Sequence, residues 1–545
     1  MIAHDQLDVR TIAEKFRLGD DSVVRLFGAH PEDRNAWAAR AAKLDAEKSS
    51  RASLAAVAGA IRDYHSKLPA SEEMEVSLRK LEKGDALVVV GGQQAGLFGG
   101  ALLIYYKALT VIQAAREAEL ALGRPVVPVF WIAGEDHDYD EANHVNVLSA
   151  GGGIRRVRVE RPDGPRLAVS RTPVSYEQWE TALQELAAQL PDTDFKPALL
   201  EKLRSHCADA PTLSLAFARL LADWFGSQGL LLLDADDAKL RAIEGPMFKR
   251  LIERNGELED ALKTGEGLVR DRGFPLQAET ALGGANLFLH HEQGRLLLFR
   301  EGDAFVDRKG IVKLSAEEMA AQAAGCPETL STNALTRPLM QDYVLPVLAA
   351  VLGPSELAYW GILGPAFETF GMSIPILMPR QSFTYLEPGV MKLLAKFGLS
   401  ATEALTEWEE RKAEWLARQD EWQLEERFAE VKRQFDGLYA PIMDTVSSIL
   451  PSLAKLAETN RDKIIEQISY LESRSIDSVA KRHEASLKQW DRIRLSLSPL
   501  DKPQERVYGT IHFLNRYGPE WLTIWNQAVF QPAGGHRLAE GMPEM

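Results

Sequence analysis

The sequence predicts an α/β protein built on an open parallel sheet, with two insertions in the sheet domain and a long helical arm behind it. Three observations carry this. Residues 86–90 form a short apolar, β-branched run; the glycine-rich GGQQAGLFGG follows, then an amphipathic stretch over 102–115 and a second apolar run over 126–133. That is strand, loop, helix and strand in order. Three further apolar runs, at 229–233, up to Leu352 and at 374–378, also stop at polar or glycine loops. Up to five strand ends would then face one crevice, the place where open α/β sheets bind ligands. From about residue 395 the composition shifts to long charged helices, with Trp408, Trp415 and Trp422 at heptad spacing.

Taken in order, residues 1–83 read as a helical flank with helices at 31–43, 52–68 and 71–81. The core runs over 84–394, with insertions near 151–228 and 264–330. In the first, IRRVRVERPDG and the turn PDGP suggest a hairpin; in the second, NLFLHHEQGRLLLFREGDAFVD suggests one turning at residues 292–294. A helix opened by Pro354 precedes the last strand. Residues 395–497 read as two helices folded back into an antiparallel coiled coil, and 498–545 as a tail that packs on the core.

At 545 residues the chain is long enough for two or three domains. With 63 Lys and Arg against 78 Asp and Glu, a net charge of -15 argues against a nucleic-acid or acidic-membrane partner. Two cysteines without CxxC spacing suggest neither a disulfide scaffold nor a cysteine zinc site. No signal core or run of about eighteen apolar residues stands out, so a cytoplasmic protein is expected.

Two motifs carry the chemistry. GGQQAGLFGG matches neither GxGxxG nor GxxxxGK[ST]. Its glycines, Gly96 among them, let backbone approach a ligand, and the helix beginning near residue 101 should point its amino end at an anion. Gln93 and Gln94 offer hydrogen bonds to phosphate or carboxylate without charge. In GEDHDYDEANH, helix capping explains some of the acids but not the histidines. His137, beside Asp136 and Asp138, is the candidate general base. Asn143 and His144 are candidate substrate ligands, with His144 two helical turns along the same face. A metal held by His137, Asp138 and His144 is the weaker reading, because the spacing fits no HExxH-like signature. Arg337 and Arg380, beside later strand ends, could supply the positive charge that the glutamine loop lacks. Glu356 and Tyr359 are weaker candidates, and Lys502, Gln504, Glu505 and Arg506 are candidates to close the crevice from the tail.

GGQQAGLFGG, PVFWIAGEDHDYDEANHV, NALTRPLMQ and KPQERVY, in this order, resemble the cysteine-adding enzymes of bacillithiol biosynthesis, and the likeness runs along essentially the whole chain. The resemblance implies a Rossmann-like core with connecting-peptide insertions, akin to class I aminoacyl-tRNA synthetases, and a coiled-coil domain through which subunits form a homodimer. It implies addition of L-cysteine to glucosaminyl-malate; amide formation from a free carboxylate needs activation, for which ATP is the expected source. The chain has Gly91 where the common family motif has threonine, and it carries neither HxGH nor KMSKS. Two readings from other classes stand beside the ligase: a nucleotide- or metabolite-binding scaffold whose coiled coil holds a partner, and a metal-dependent hydrolase built on GEDHD.

Overall fold

The computed structural model describes residues 2–3, 11–419 and 422–540. The chain forms two compact units, one of Met1–Thr384 with Lys502–Ala539, the other built on Tyr385–Asp501.

The first unit is organised by five strands: β1 (Leu87–Gln93), β2 (Val126–Ile132), β3 (Leu231–Asp234), β4 (Val347–Leu352) and β5 (Ile376–Pro379). Their order is β5-β4-β1-β2-β3, and every neighbouring pair is parallel. All residues of β2 to β5 are buried, which is why these runs read as continuously apolar rather than alternating. Chain order reverses between β1 and β4, so a crevice opens at their carboxyl ends. After the glycine loop, α1 (Leu102–Leu122) is buried around most of its circumference and ends at Gly123 in the left-handed region. The helices Arg34–Ala46, Leu54–His65 and Glu72–Glu82 pack directly on the sheet strands. Trp37, Tyr64 and His65 serve that packing: the Trp37 indole donates to Pro31 O at 2.9 Å, Tyr64 is buried, and the His65 ring meets the Leu232 backbone at 3.0 Å.

The insertions differ in detail from expectation. In the first, the hairpin pairs His144–Leu148 with Ile154–Arg158 and turns between Leu148 and Ile154, not at PDGP. Gly152 and Gly153, both at positive φ, make the earlier turn possible. The helix after GEDHD spans only Tyr139–Ala142, so His144 opens a strand and does not share a helical face with His137. In the second, Gly284–His291 and Gly294–Glu301 pair with His291 opposite Gly294, so the chain reverses at residues 292–293.

In the second unit, Leu424–Ile449 and Ala454–Arg482 form an antiparallel helix pair, marked by contacts of Lys432 with Glu472 and of Tyr439 with Asn460. Trp408 and Trp415 both pack on Trp490, and Phe397 joins them. Part of the tryptophan stripe is therefore covered within the unit itself. Among the described residues no helix is long and apolar enough to cross a membrane.

Candidate active site

The ends of β2 and β3 are pressed together. A Cβ added at Gly134 would stand 2.2 Å from Asp234 Oδ1, so only glycine fits there, and burial pushes the Asp234 carboxyl up to about 7. The acids that follow divide by orientation. Glu135 turns inward to an ion pair with Arg241, from the helix Ala238–Glu253, and accepts from Thr332 Oγ1 at 2.8 Å. Asp236, after β3, accepts from Arg171 Nε and Nη2 at 2.6 and 2.7 Å. Asp136 and His137 are half-buried and Asp138 is exposed.

His137 Nδ1 lies 3.7 Å from Asp136 Oδ1 and 3.3 Å from Arg295 Nη1. Arg295 comes from the second insertion and is held in place: its Nε donates to Ser331 Oγ at 2.9 Å, its Nη2 donates to Thr332 O at 2.5 Å, and its guanidinium covers the Phe288 ring at 3.8 Å. A guanidinium has no acceptor. The closer contact therefore requires Nδ1 to accept, which leaves the neutral ring's proton on Nε2. Burial, and next the Arg295 charge, hold the His137 pKa below the ordinary imidazole value, so the ring is neutral at pH 7.

The glycine loop meets this cluster through one hydrogen bond, Gln94 Nε2 to Asp136 Oδ2 at 2.5 Å. Beside it lies a cleft of about 290 Å³, lined by Gln93, Gln94, Gly96, Glu141, His144 and Arg506 among others. Gly96 has no room for a side chain, since its Cβ would stand 2.6 Å from Gly100 Cα. The amino end of α1 is covered from the tail: Leu102 N–H donates to Tyr508 O at 2.8 Å.

Lys107 is buried on α1 and donates to Gly92 O at 2.6 Å and Gln93 Oε1 at 3.1 Å, besides pairing with Glu356. Arg337 donates to the Tyr359 hydroxyl at 2.7 Å and lies 3.7 Å from the same Glu356. The Arg337 charge is thus balanced by an acid that Lys107 shares. Arg380 forms a buried two-bond pair with Glu505, at 2.8 and 2.6 Å, which engages its guanidinium within the protein. Asn143 is buried and donates to Val159 O at 2.9 Å, bracing the hairpin. His144 Nδ1 stands 3.0 Å from Asp140 O, and the residue lines the cleft.

Gln93, Gln94, Gly96, Asp136, His137 and His144 are therefore neighbours, whereas Asn143, Arg337 and Arg380 are tied into the scaffold. Sequence reasoning missed Arg295, Arg241 and Lys107. Lys107 reads as a polar interruption in an apolar helix, a usable signal, whereas Arg295 lies 158 residues from His137 with no motif around it. Among the described residues no group of three or more His, Cys, Asp or Glu side chains is placed to hold a metal ion.

Two family models cover the chain: residues 3–381 match the N-terminal Rossmann-like domain, and residues 383–540 the C-terminal coiled-coil domain, of the bacillithiol biosynthesis protein BshC. Several relatives carry the name "Putative cysteine ligase BshC". The one from Bacillus cytotoxicus is 32% identical over 87% of this chain and 88% of its own length. That from Bacillus licheniformis is 32% identical over 89% and 90%, and that from Geobacillus sp. (strain WCH70) 35% identical over 88% and 89%.

Proposed function

The chain belongs to the BshC family of bacillithiol biosynthesis, and from that premise we propose that it is a ligase joining the carboxyl group of L-cysteine to the amine of glucosaminyl-malate. The observation that carries the site assignment is the Gln94–Asp136 hydrogen bond, which holds the glycine loop against the histidine loop at the mouth of the sheet. In this reaction the amine nitrogen forms a bond to the cysteine carbonyl carbon, the carbonyl oxygen gathers negative charge, the activated oxygen leaves, and the nitrogen loses a proton. His137 has a neutral ring and presents Nε2–H, so it serves the charge on the carbonyl oxygen as a donor. Asp136, half-buried and next to it, is the acceptor for the amine proton.

ATP would supply the activation, turning a carboxylate oxygen into a leaving group. The glycine loop fits a carboxylate or acyl group better than a triphosphate: Lys107 shares Glu356 with Arg337, and Leu102 N–H is covered. We therefore assign no nucleotide to this loop. Small molecules are the substrates in this reading, and the setting is the cytoplasm. Homodimerisation through the helix pair of the second unit is part of the same proposal. It rests on Leu438, Ile442 and Ile449, which remain exposed at 75%, 53% and 73% and repeat at helical spacing.

The test is purified protein with ATP, cysteine and glucosaminyl-malate, read by mass spectrometry for the amide product and by chromatography for AMP or ADP. Product and nucleotide turnover should each require both other substrates. Nucleotide binding without turnover, with no amide formed, would favour the scaffold reading.

A further inference from the structure

Gln93 and Gln94 carry the same side chain on adjacent residues, and their neighbours hold them in opposite senses. Lys107 Nζ can only donate, and it lies 3.1 Å from Gln93 Oε1. The carbonyl of Gln93 is thus turned to the lysine, and what remains for the cleft is its Nε2 with two hydrogens. Gln94 is reversed: its Nε2 donates to Asp136 Oδ2 at 2.5 Å, and Glu141 lines the same cleft. The Asp136 carboxylate fixes which end of the amide is nitrogen, so Gln94 leaves its carbonyl oxygen for the cleft. Both residues line that cleft, whose 290 Å³ suits a small ligand, and so do Arg506 and Glu141.

We propose that this pair is a subsite for an α-amino acid: the carboxylate sits on Gln93 Nε2 with Arg506 nearby, and the ammonium sits on Gln94 Oε1 with Glu141 beside it. The assignment rests on the ligase reading and places the cysteine substrate, not the amino sugar, in the cleft. A neutral amide suits the carboxylate end, because it can hold the group before activation and still donate to the acyl oxygen once the full negative charge is gone, which a fixed ion pair would resist. The buried lysine on the far side of the amide polarises it and strengthens its N–H donors.

Calorimetry with three ligands tests this: L-cysteine, cysteamine, which lacks the carboxylate, and 3-mercaptopropionate, which lacks the amine. Wild type should bind cysteine about tenfold or more tightly than either analogue, the worth of one hydrogen bond to a charged group. Gln93→Met should weaken cysteine by about that factor and leave cysteamine unchanged; Gln94→Met should weaken cysteine and leave 3-mercaptopropionate unchanged. Gln93→Glu keeps an oxygen for Lys107 while turning a carboxylate toward the ligand, so it should reject cysteine and tolerate cysteamine. Matching thermal melts establish that each variant is folded. Equal weakening of all three ligands in both methionine variants, unchanged cysteine affinity, or no cysteine binding to wild type would each overturn the subsite. If wild type forms the amide while the variants bind cysteine normally, the subsite fails and the ligase reading stands; if no amide forms, the ligase reading itself fails.

Discussion

Replacing His137 separates two chemical roles that the motif alone leaves merged. Arg295 Nη1 stands 3.3 Å from Nδ1, closer than Asp136 at 3.7 Å, so the ring should present Nε2–H and act as a donor to the carbonyl oxygen. Loss of one such donor typically costs about 10²- to 10³-fold in kcat. The side chain is 32% exposed, so solvent competes for the same oxygen and the low end, about 10², is expected for His137→Ala. His137→Gln can carry an amide N–H close to the former Nε2 position and should stay within about tenfold of wild type. A general base would behave differently: glutamine cannot accept the proton, and its loss should match alanine at about 10²- to 10⁴-fold. Arg295→Met adds a check on cause. With the guanidinium gone, Asp136 becomes the nearest partner of Nδ1, the proton moves there, and Nε2 becomes an acceptor. Activity should fall, and the His137 pKa should rise because a neighbouring positive charge is lost. The assay is steady-state amide formation between pH 5 and 8, with circular dichroism as the control on folding. If His137→Gln is as slow as His137→Ala, and wild type shows an acidic limb that both variants lack, His137 is the base and the donor argument is wrong.

Other expectations follow from the same geometry. Glu505→Leu leaves Arg380 buried without its partner and should cost about 3–5 kcal/mol in urea unfolding; Arg380→Met should cost less, since Glu505 can take up a proton, and should leave KM unchanged. A raised KM with undiminished stability would return Arg380 to the substrate. Burial lowers the His65 pKa to about 4, below the unfolded value of about 6.5. The unfolded chain therefore binds the proton first as pH falls, and stability from neutral His65 is present above about pH 6.5 and lost toward pH 4, by roughly 3 kcal/mol. His65→Gln should remove that part of the slope, so its stability deficit against wild type shrinks on acidification; a deficit constant with pH refutes the assignment. For the dimer, Leu438→Lys with Ile442→Lys should give a folded monomer by light scattering at micromolar concentration, and an unchanged mass would place the contact elsewhere.

How much of this was legible depended on whether the controlling interaction was local. The five strands were readable because each is buried on both faces and so writes a continuous apolar run between turn-forming residues. The glycine loop was equally plain: Gly96 has no space for a Cβ, and close packing of that kind concentrates glycines within a few positions. His144 went astray because the acids after His137 favour a helix start, but Tyr139–Ala142 ends after one turn, where the hairpin with Ile154–Arg158 takes over the backbone hydrogen bonds. The tryptophans at 408 and 415 have heptad spacing, yet Trp490, many residues later, is what covers them. The arginines fared worst. Arg337 and Arg380 stand beside strand ends in the sequence, as ligand-binding arginines would, but nothing local announces that Glu356 and Glu505 already engage them. Conversely, Arg295 reaches His137 only because an inserted hairpin folds back over the end of β2. The residues that set the sense of each polar group in the site, Arg295 for His137, Lys107 for Gln93 and Asp136 for Gln94, are therefore of two kinds. Asp136 belongs to a legible motif, whereas Arg295 and Lys107 act through contacts that exist only once the sheet has brought separate segments together. The motifs nominate side chains for a substrate, but whether each donates or accepts is decided by the partner behind it.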